Sequence, residues 1–220
     1  MDPRPSAGSR DVDRVMRILS ARASSEFLVH DDLCCRAARS WLDCQAKAAN
    51  RLHGLDPSWI SRRWPWGPMC WPTYWCEVLR LPELDCGALA VLAEAAFAAA
   101  GRETCRIQLL EQADRAQTAH WHARWRAAKC STQWLWDDLI YHEAVGVLKE
   151  QSLRMWDPAR AIWRMPAGWP AEGRTLAIRV TSRRAPGAGH YGPTFRWAEN
   201  EIRPGVWTQV SSEYPNAAEF

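Results

Sequence analysis

The stretch LPELDCGALAVLAEAAFAAAG, residues 81–101, decides how the rest of the chain is read. Alanine and leucine, the strongest helix formers, fill its interior. Asp85 stands where an N-cap carboxylate would accept the first orphan N–H groups, and Gly101 stands where a left-handed residue would end the helix. The stretch therefore predicts a helix between Asp85 and Gly101, with Cys86 as its first residue. Cysteine packs well as a small hydrophobe, so an inert buried thiol is one reading of Cys86. The other is chemical, because unpaired N–H groups and the helix dipole favour a thiolate and lower its pKa.

Downstream of Gly101 the hydrophobic period shortens. CRIQLLE (105–111) reads as a strand, and RTLAIRVTS (174–182) alternates between apolar and polar residues. WLWDDLIYHEAVGVL (134–148) fits strand pairing, and QTAHWHARWRAAK (117–129) is ambiguous between helix and strand. HYGPTFRWAENEIRPGVWTQV (190–210) predicts two more strands around Arg203-Pro204-Gly205.

Upstream, residues 1–10 read as a tail. A helical region spans 11–55, with Val12, Val15, Met16 and Leu19 spaced three to four apart. A second helix carries Leu33, Ala37, Trp41 and Leu42 and ends near Gly54. Residues 56–82 differ, because prolines 57, 65, 68, 72 and 82 break regular elements while five tryptophans crowd among them. That segment predicts a structured loop. Helices followed by strands predict an α+β fold, with the Cys86 helix packed on an antiparallel sheet, a core over 56–210 and a tail over 211–220.

Composition limits the partners. The 220 residues carry a net charge of +3 without a basic block, which argues against nucleic acid. No stretch has the apolar length of a membrane span, and the N-terminus lacks a signal-peptide apolar region, so a cytoplasmic protein is expected. Its eight cysteines are then expected to remain mostly thiols, and no Cys-x-x-Cys pair suggests a zinc site. No motif implies a metal or organic cofactor. Abundant Ala, Arg, Gly and Pro suggest a bacterial gene. The anomaly is 15 Trp against 4 Phe and 4 Tyr. Tryptophan pairs a large apolar body with an N–H, which suits ligand walls.

A nucleophilic cysteine needs a base, and the base needs a group to fix its tautomer. Six histidines are available: His30, His53, His120, His122, His142 and His190. Three segments in order, DCGALAVLAEAAFAAAGRETCRI (85–107), LIYHEAVGVL (139–148) and RMWDPARAIW (154–163), carry a resemblance over roughly residues 75–165. The chain resembles the transglutaminase-like superfamily of papain-type cysteine enzymes. This resemblance implies Cys86 as nucleophile, His142 as base and Asp157, in Trp156-Asp157-Pro158, as the orienting acid. It further implies acyl transfer through a Cys86 thioester to an amine, in a bacterial specialised peptide or metabolite pathway. A peptidase or amidase using the same triad is the alternative when water is the acceptor. Peptide, amine or acyl substrates, carrier-protein-bound ones included, fall within that class.

The residues themselves add detail. Alternation along the His142 strand puts Tyr141 and Glu143 on the other side, so His142 is expected to project alone toward the helix. N–H groups of the first turn could help form an oxyanion hole, and an indole N–H from Trp71 or Trp75 could join them. The Trp/Pro segment just before Cys86 suggests a substrate wall, with Trp66, Trp71, Trp75 and Tyr141 as candidate binding residues. His120 or His122, beside Asp137 or Asp138, is an alternative base. His120 and His122 on one strand face, with Cys130, form an alternative metal set. A third class is a non-catalytic module whose tryptophans bind a peptide or partner protein.

Overall fold

The computed structural model describes residues 26–29, 33–53, 56–136, 138–149, 152–164, 174–181, 195–197, 200–202 and 205–209. The expected tails (1–10 and 211–220), the helix expected from Asp11 and the candidates His30, Asp137 and His190 lie outside these residues.

Five helices are described: α1 (Leu33–His53), α2 (Ser58–Arg63), α3 (Trp75–Val78), α4 (Cys86–Ala99) and α5 (Arg115–Ala127). The strands are β1 (Thr104–Gln112), β2 (Leu139–Lys149), β3 (Ser152–Asp157), β4 (Ile162–Arg164), β5 (Arg174–Thr181), β6 (Phe195–Trp197), β7 (Asn200–Ile202) and β8 (Thr208–Gln209). Six of them form one sheet in the order β4-β3-β2-β1-β5-β8, and β6 pairs with β7. Every pairing between the described strands is antiparallel. The class is therefore α+β.

The Cys86 helix forms where its caps predict. Asp85 is extended and its side chain accepts from the Ala88 N–H, while the chain beyond Ala100 turns through Gly101 at a φ of +71°. Its residues from Cys86 to Ala93 are all buried, as an apolar helix without a polar face must be. Around it lie Cys35, Leu42 and Ala46 of α1, Ile60 of α2, Val78 of α3, and Val145, Val147 and Trp156 of the sheet. Helix α1 thus contributes to the same core as α4. Burial of such aliphatic side chains stabilises by about 1.5–3 kcal/mol each, so this cluster is the main source of stability.

Two sequence expectations change. The 56–82 segment is not loop throughout, because α2 and α3 lie within it. The ambiguous 117–129 segment belongs to α5, whose N-cap Asp114 accepts from the N–H groups of Ala116 and Gln117 at 2.8 and 3.1 Å. That cap decides the element in favour of helix. The expected strands near the C-terminus appear as β7 and β8, with Gly205 between them at a φ of +79°.

Candidate functional site

Sheet alternation gives β2 two faces, and the register identifies them. Val145 and Val147 pack with α4, whereas Ala144 clusters with Cys105, Ile107, Leu109, Met155, Ile178 and Val180 on the other face. Tyr141 and Glu143 share the parity of Val145, so they face α4. His142, opposite Leu109 in the register, has the parity of Ala144. The expectation that His142 projects alone toward the helix is therefore corrected, because Tyr141 and Glu143 occupy that side.

Glu143 is held on the helix side by a cross-strand partner invisible in the local pattern. Glu143 is fully buried, and Arg106 of β1 donates to it at 2.9 Å while also donating to Glu94 of α4 at 2.8 Å. Tyr141 donates its phenol to Glu143 and accepts from Gln108 Nε2 at 2.6 Å; Arg179 donates to Gln108 Oε1 at 2.6 Å. Burial without such partners would cost several kcal/mol per charge. This network ties β1, β2, β5 and α4 together directly beneath Cys86.

Cys86 is 9% exposed and lines a cleft of about 570 Å³. Its thiol is pushed well above the ordinary range, first by burial, then by the carboxylates of Asp85 and Glu143, with Asp157 adding to them. A hydrogen bond from the Glu143 backbone acts in the opposite direction. The expected lowering by the helix terminus is thus reversed: desolvation and three carboxylates outweigh the first-turn N–H groups. At rest the group is a neutral thiol.

Asp157 links the other two predicted residues. Its Oδ2 lies 3.1 Å from His142 Nε2, an ion-pair distance, although the ring N–H is not aligned for a hydrogen bond. The same oxygen accepts from Arg160 at 2.9 Å, and Oδ1 accepts from the N–H groups of Ala159 and Arg160. Arg160 also reaches Glu111 at 3.4 Å. Asp157 therefore closes a turn after β3 as well as approaching His142. No hydrogen bond joins the Cys86 thiol to the His142 ring among the described residues; both lie within the influence of Asp157.

Among the aromatic candidates, Trp66, Trp71 and Tyr141 line the cleft, joined by Trp125 and Trp134, which sequence reasoning missed. Trp66 packs on Trp125 with centroids 4.9 Å apart, and Trp125 on Trp134 at 4.9 Å. Trp75 is corrected: it is buried in the core, edge-on to Phe27 at 5.0 Å. Nor is the Trp71 indole available to an oxyanion, since it donates to Asp85 Oδ2 at 2.6 Å.

The alternative metal set loses its premise. His120 and His122 lie two apart on α5, so they do not share a face as they would on a strand. Cys130 is disulfide-bonded to Cys70, while the other six cysteines are free thiols. Among the described residues no group of three or more His, Cys, Asp or Glu is arranged to hold a metal, and no helix is long and apolar enough to cross a membrane.

No protein-family model, no curated protein and no solved structure matches the chain.

Proposed function

We propose that the protein performs cysteine-dependent acyl transfer, with Cys86 as the nucleophile and an amine as acceptor, in the manner of transglutaminase-like enzymes. The observation carrying this reading is that Cys86 opens α4 at an aromatic-walled cleft, while Asp157 lies close enough to act on both Cys86 and His142. The Cys86 sulfur attacks the carbonyl carbon of a peptide, ester or thioester, its proton passing through the Asp157 carboxylate, which approaches both residues, to His142 on the far face of β2. The tetrahedral oxyanion is met by first-turn N–H groups of α4. Collapse expels the leaving group with that proton and leaves a thioester on Cys86, which the amine then cleaves to form an amide. With water in place of the amine the same steps give an amidase or peptidase.

A second reading is a binding module in which the tryptophans hold a peptide or partner and no bond is made. The orientation of His142 away from α4 and the raised thiol favour it. Incubation with aryl thioesters of simple carboxylic acids, followed by mass spectrometry, separates the two. A single acyl adduct on the Cys86 peptide, released by hydroxylamine and lost in Cys86→Ala, is the expected result. Saturable quenching of tryptophan fluorescence by the same compounds without any adduct on Cys86 would overturn acyl transfer and leave the binding module.

A further inference from the structure

Two cysteines other than Cys86 line the same cleft: Cys70 from the segment before α3, and Cys130 just beyond α5. They are bonded to each other across 60 residues of sequence, with Cα atoms 5.0 Å apart, within the range a disulfide needs. Their positions matter more than the bond itself. Cys70 follows Trp66 by four residues, and Cys130 sits between Trp125 and Trp134. The disulfide therefore fastens together the two segments whose tryptophans meet to form one wall of the cleft over Cys86. Cys70 is solvent-exposed and Cys130 partly so, which gives small thiols and disulfides access to the bond.

Other ties between these segments are non-covalent. The Trp66 segment is held toward α4 by a backbone bond from Gly67 to Leu84, and toward α5 by the ion pair of Arg124 with Glu83 beside the tryptophan contacts. Arg124 and Glu83 are both appreciably exposed, so that pair adds little. Cleaving the disulfide leaves the wall held on the α5 side by aromatic packing and one weak ion pair.

We propose that Cys70 and Cys130 form a reversible dithiol–disulfide pair that regulates access to Cys86, holding the aromatic wall over it when oxidised and releasing the wall when reduced. This rests on Cys86 being the reactive group of the cleft, as proposed above. The oxidant is a low-molecular-weight disulfide. One thiolate of the pair attacks it, forming a mixed disulfide and expelling one small thiol. The second protein thiolate then attacks the mixed disulfide, expelling the second small thiol. Two protein thiols thus lose two electrons and two protons, and the small disulfide gains them as two thiols. Reduction runs the same exchange backward.

The test uses the full chain, either oxidised with glutathione disulfide or reduced with a phosphine and desalted. Each form receives short pulses of N-ethylmaleimide at one fixed pH, and the Cys86 peptide is quantified by mass spectrometry. We expect Cys86 to label about fivefold or more faster in the reduced form, the scale of a modest local opening. Cys70→Ser and Cys130→Ser, each at an accessible position, should both label at the fast rate whatever the glutathione ratio. Failure of the Cys70–Cys130 crosslinked peptide to form under glutathione disulfide would overturn the proposal. So would Cys86 rates agreeing within about twofold between the two forms, a difference too small for an opened wall. Acylation is scored separately. Redox-dependent labelling without thioester formation refutes only the enzymatic reading, and acylation indifferent to redox state refutes only the regulation.

Discussion

Replacing Arg106 by methionine tests the network beneath the cleft. In the wild type this guanidinium is almost completely buried and serves two carboxylates, donating to Glu143 at 2.9 Å and to Glu94 at 2.8 Å. Methionine fills much of the volume but supplies neither charge nor donors. Glu143, whose side chain is 0% exposed, would lose its Arg106 guanidinium partner and keep the Tyr141 phenol; Glu94 is 15% exposed and regains water. Breaking a buried ion pair from one side costs about 3–5 kcal/mol, and the remaining phenol and the exposure of Glu94 place Arg106→Met near the lower end, about 3 kcal/mol. With a urea m-value of about 2–3 kcal/mol/M for a chain of this size, the unfolding midpoint should fall by about 1–1.5 M. The sign of the pH dependence follows. With its guanidinium partner removed, burial favours the uncharged form of Glu143, so the deficit should shrink as pH falls. Adding Glu143→Met removes the stranded charge and should restore most of the loss. Urea titrations of the three proteins at two pH values measure all of this. A midpoint shift for Arg106→Met below about 0.3 M, an effect under 1 kcal/mol, would refute the network as a structural element.

Further outcomes concern α4 and its surroundings. Asp85→Asn keeps an oxygen for the Ala88 N–H but removes the carboxylate that raises the Cys86 thiol. The thiol pKa should fall, so alkylation of Cys86 at constant neutral pH should speed up, whereas Asp85→Ala should also lose a cap worth about 1 kcal/mol by thermal or urea unfolding. In the wild type the same alkylation should rise steeply only at alkaline pH, because the folded thiol is held above its ordinary range; a midpoint near 7 by mass spectrometry would contradict the geometry. Trp125→Ala deletes a side chain that is 1% exposed and packs on Trp66 and Trp134, so a loss of about 3–5 kcal/mol should appear in urea unfolding, with a shift in the tryptophan emission of the remaining wall.

Local chemistry in the sequence was enough for the Cys86 helix, where a capping aspartate, a run of alanines and a closing glycine all point to one element. β1 and β5 were likewise legible from their period, and with them the α+β class. The α5 segment was not, because tryptophan and histidine at alternating spacing imitate a strand; only Asp114, outside the quoted segment, marks it as a helix. Face assignment failed for a different reason. Alternation separates Tyr141 and Glu143 from His142, yet which set meets α4 depends on a glutamate becoming tolerable in the core. That depends on Arg106, brought close by a cross-strand register that no single strand encodes. The approach of Asp157 to His142 was expected only from the family resemblance, and its second partner Arg160 makes it also a turn-closing residue. The Cys70–Cys130 bond joins residues 60 apart, a pairing with no local signature.

β1 and β2 are adjacent antiparallel strands that a two-residue turn could have joined, yet the chain spends residues 113–138 between them. That excursion carries α5 with Trp125, and beyond it Cys130 and Trp134, which line the outer side of the cleft. Because the entropic cost of closing a loop grows only with the logarithm of its length, lengthening or shortening the excursion costs the sheet little. It therefore behaves as an exchangeable cassette: the strands set the register, α4 holds the thiol, and the cassette supplies one side of the wall over it. Grafting a different segment between Gln112 and Leu139 would be the natural way to rebuild the wall over Cys86 while keeping the sheet.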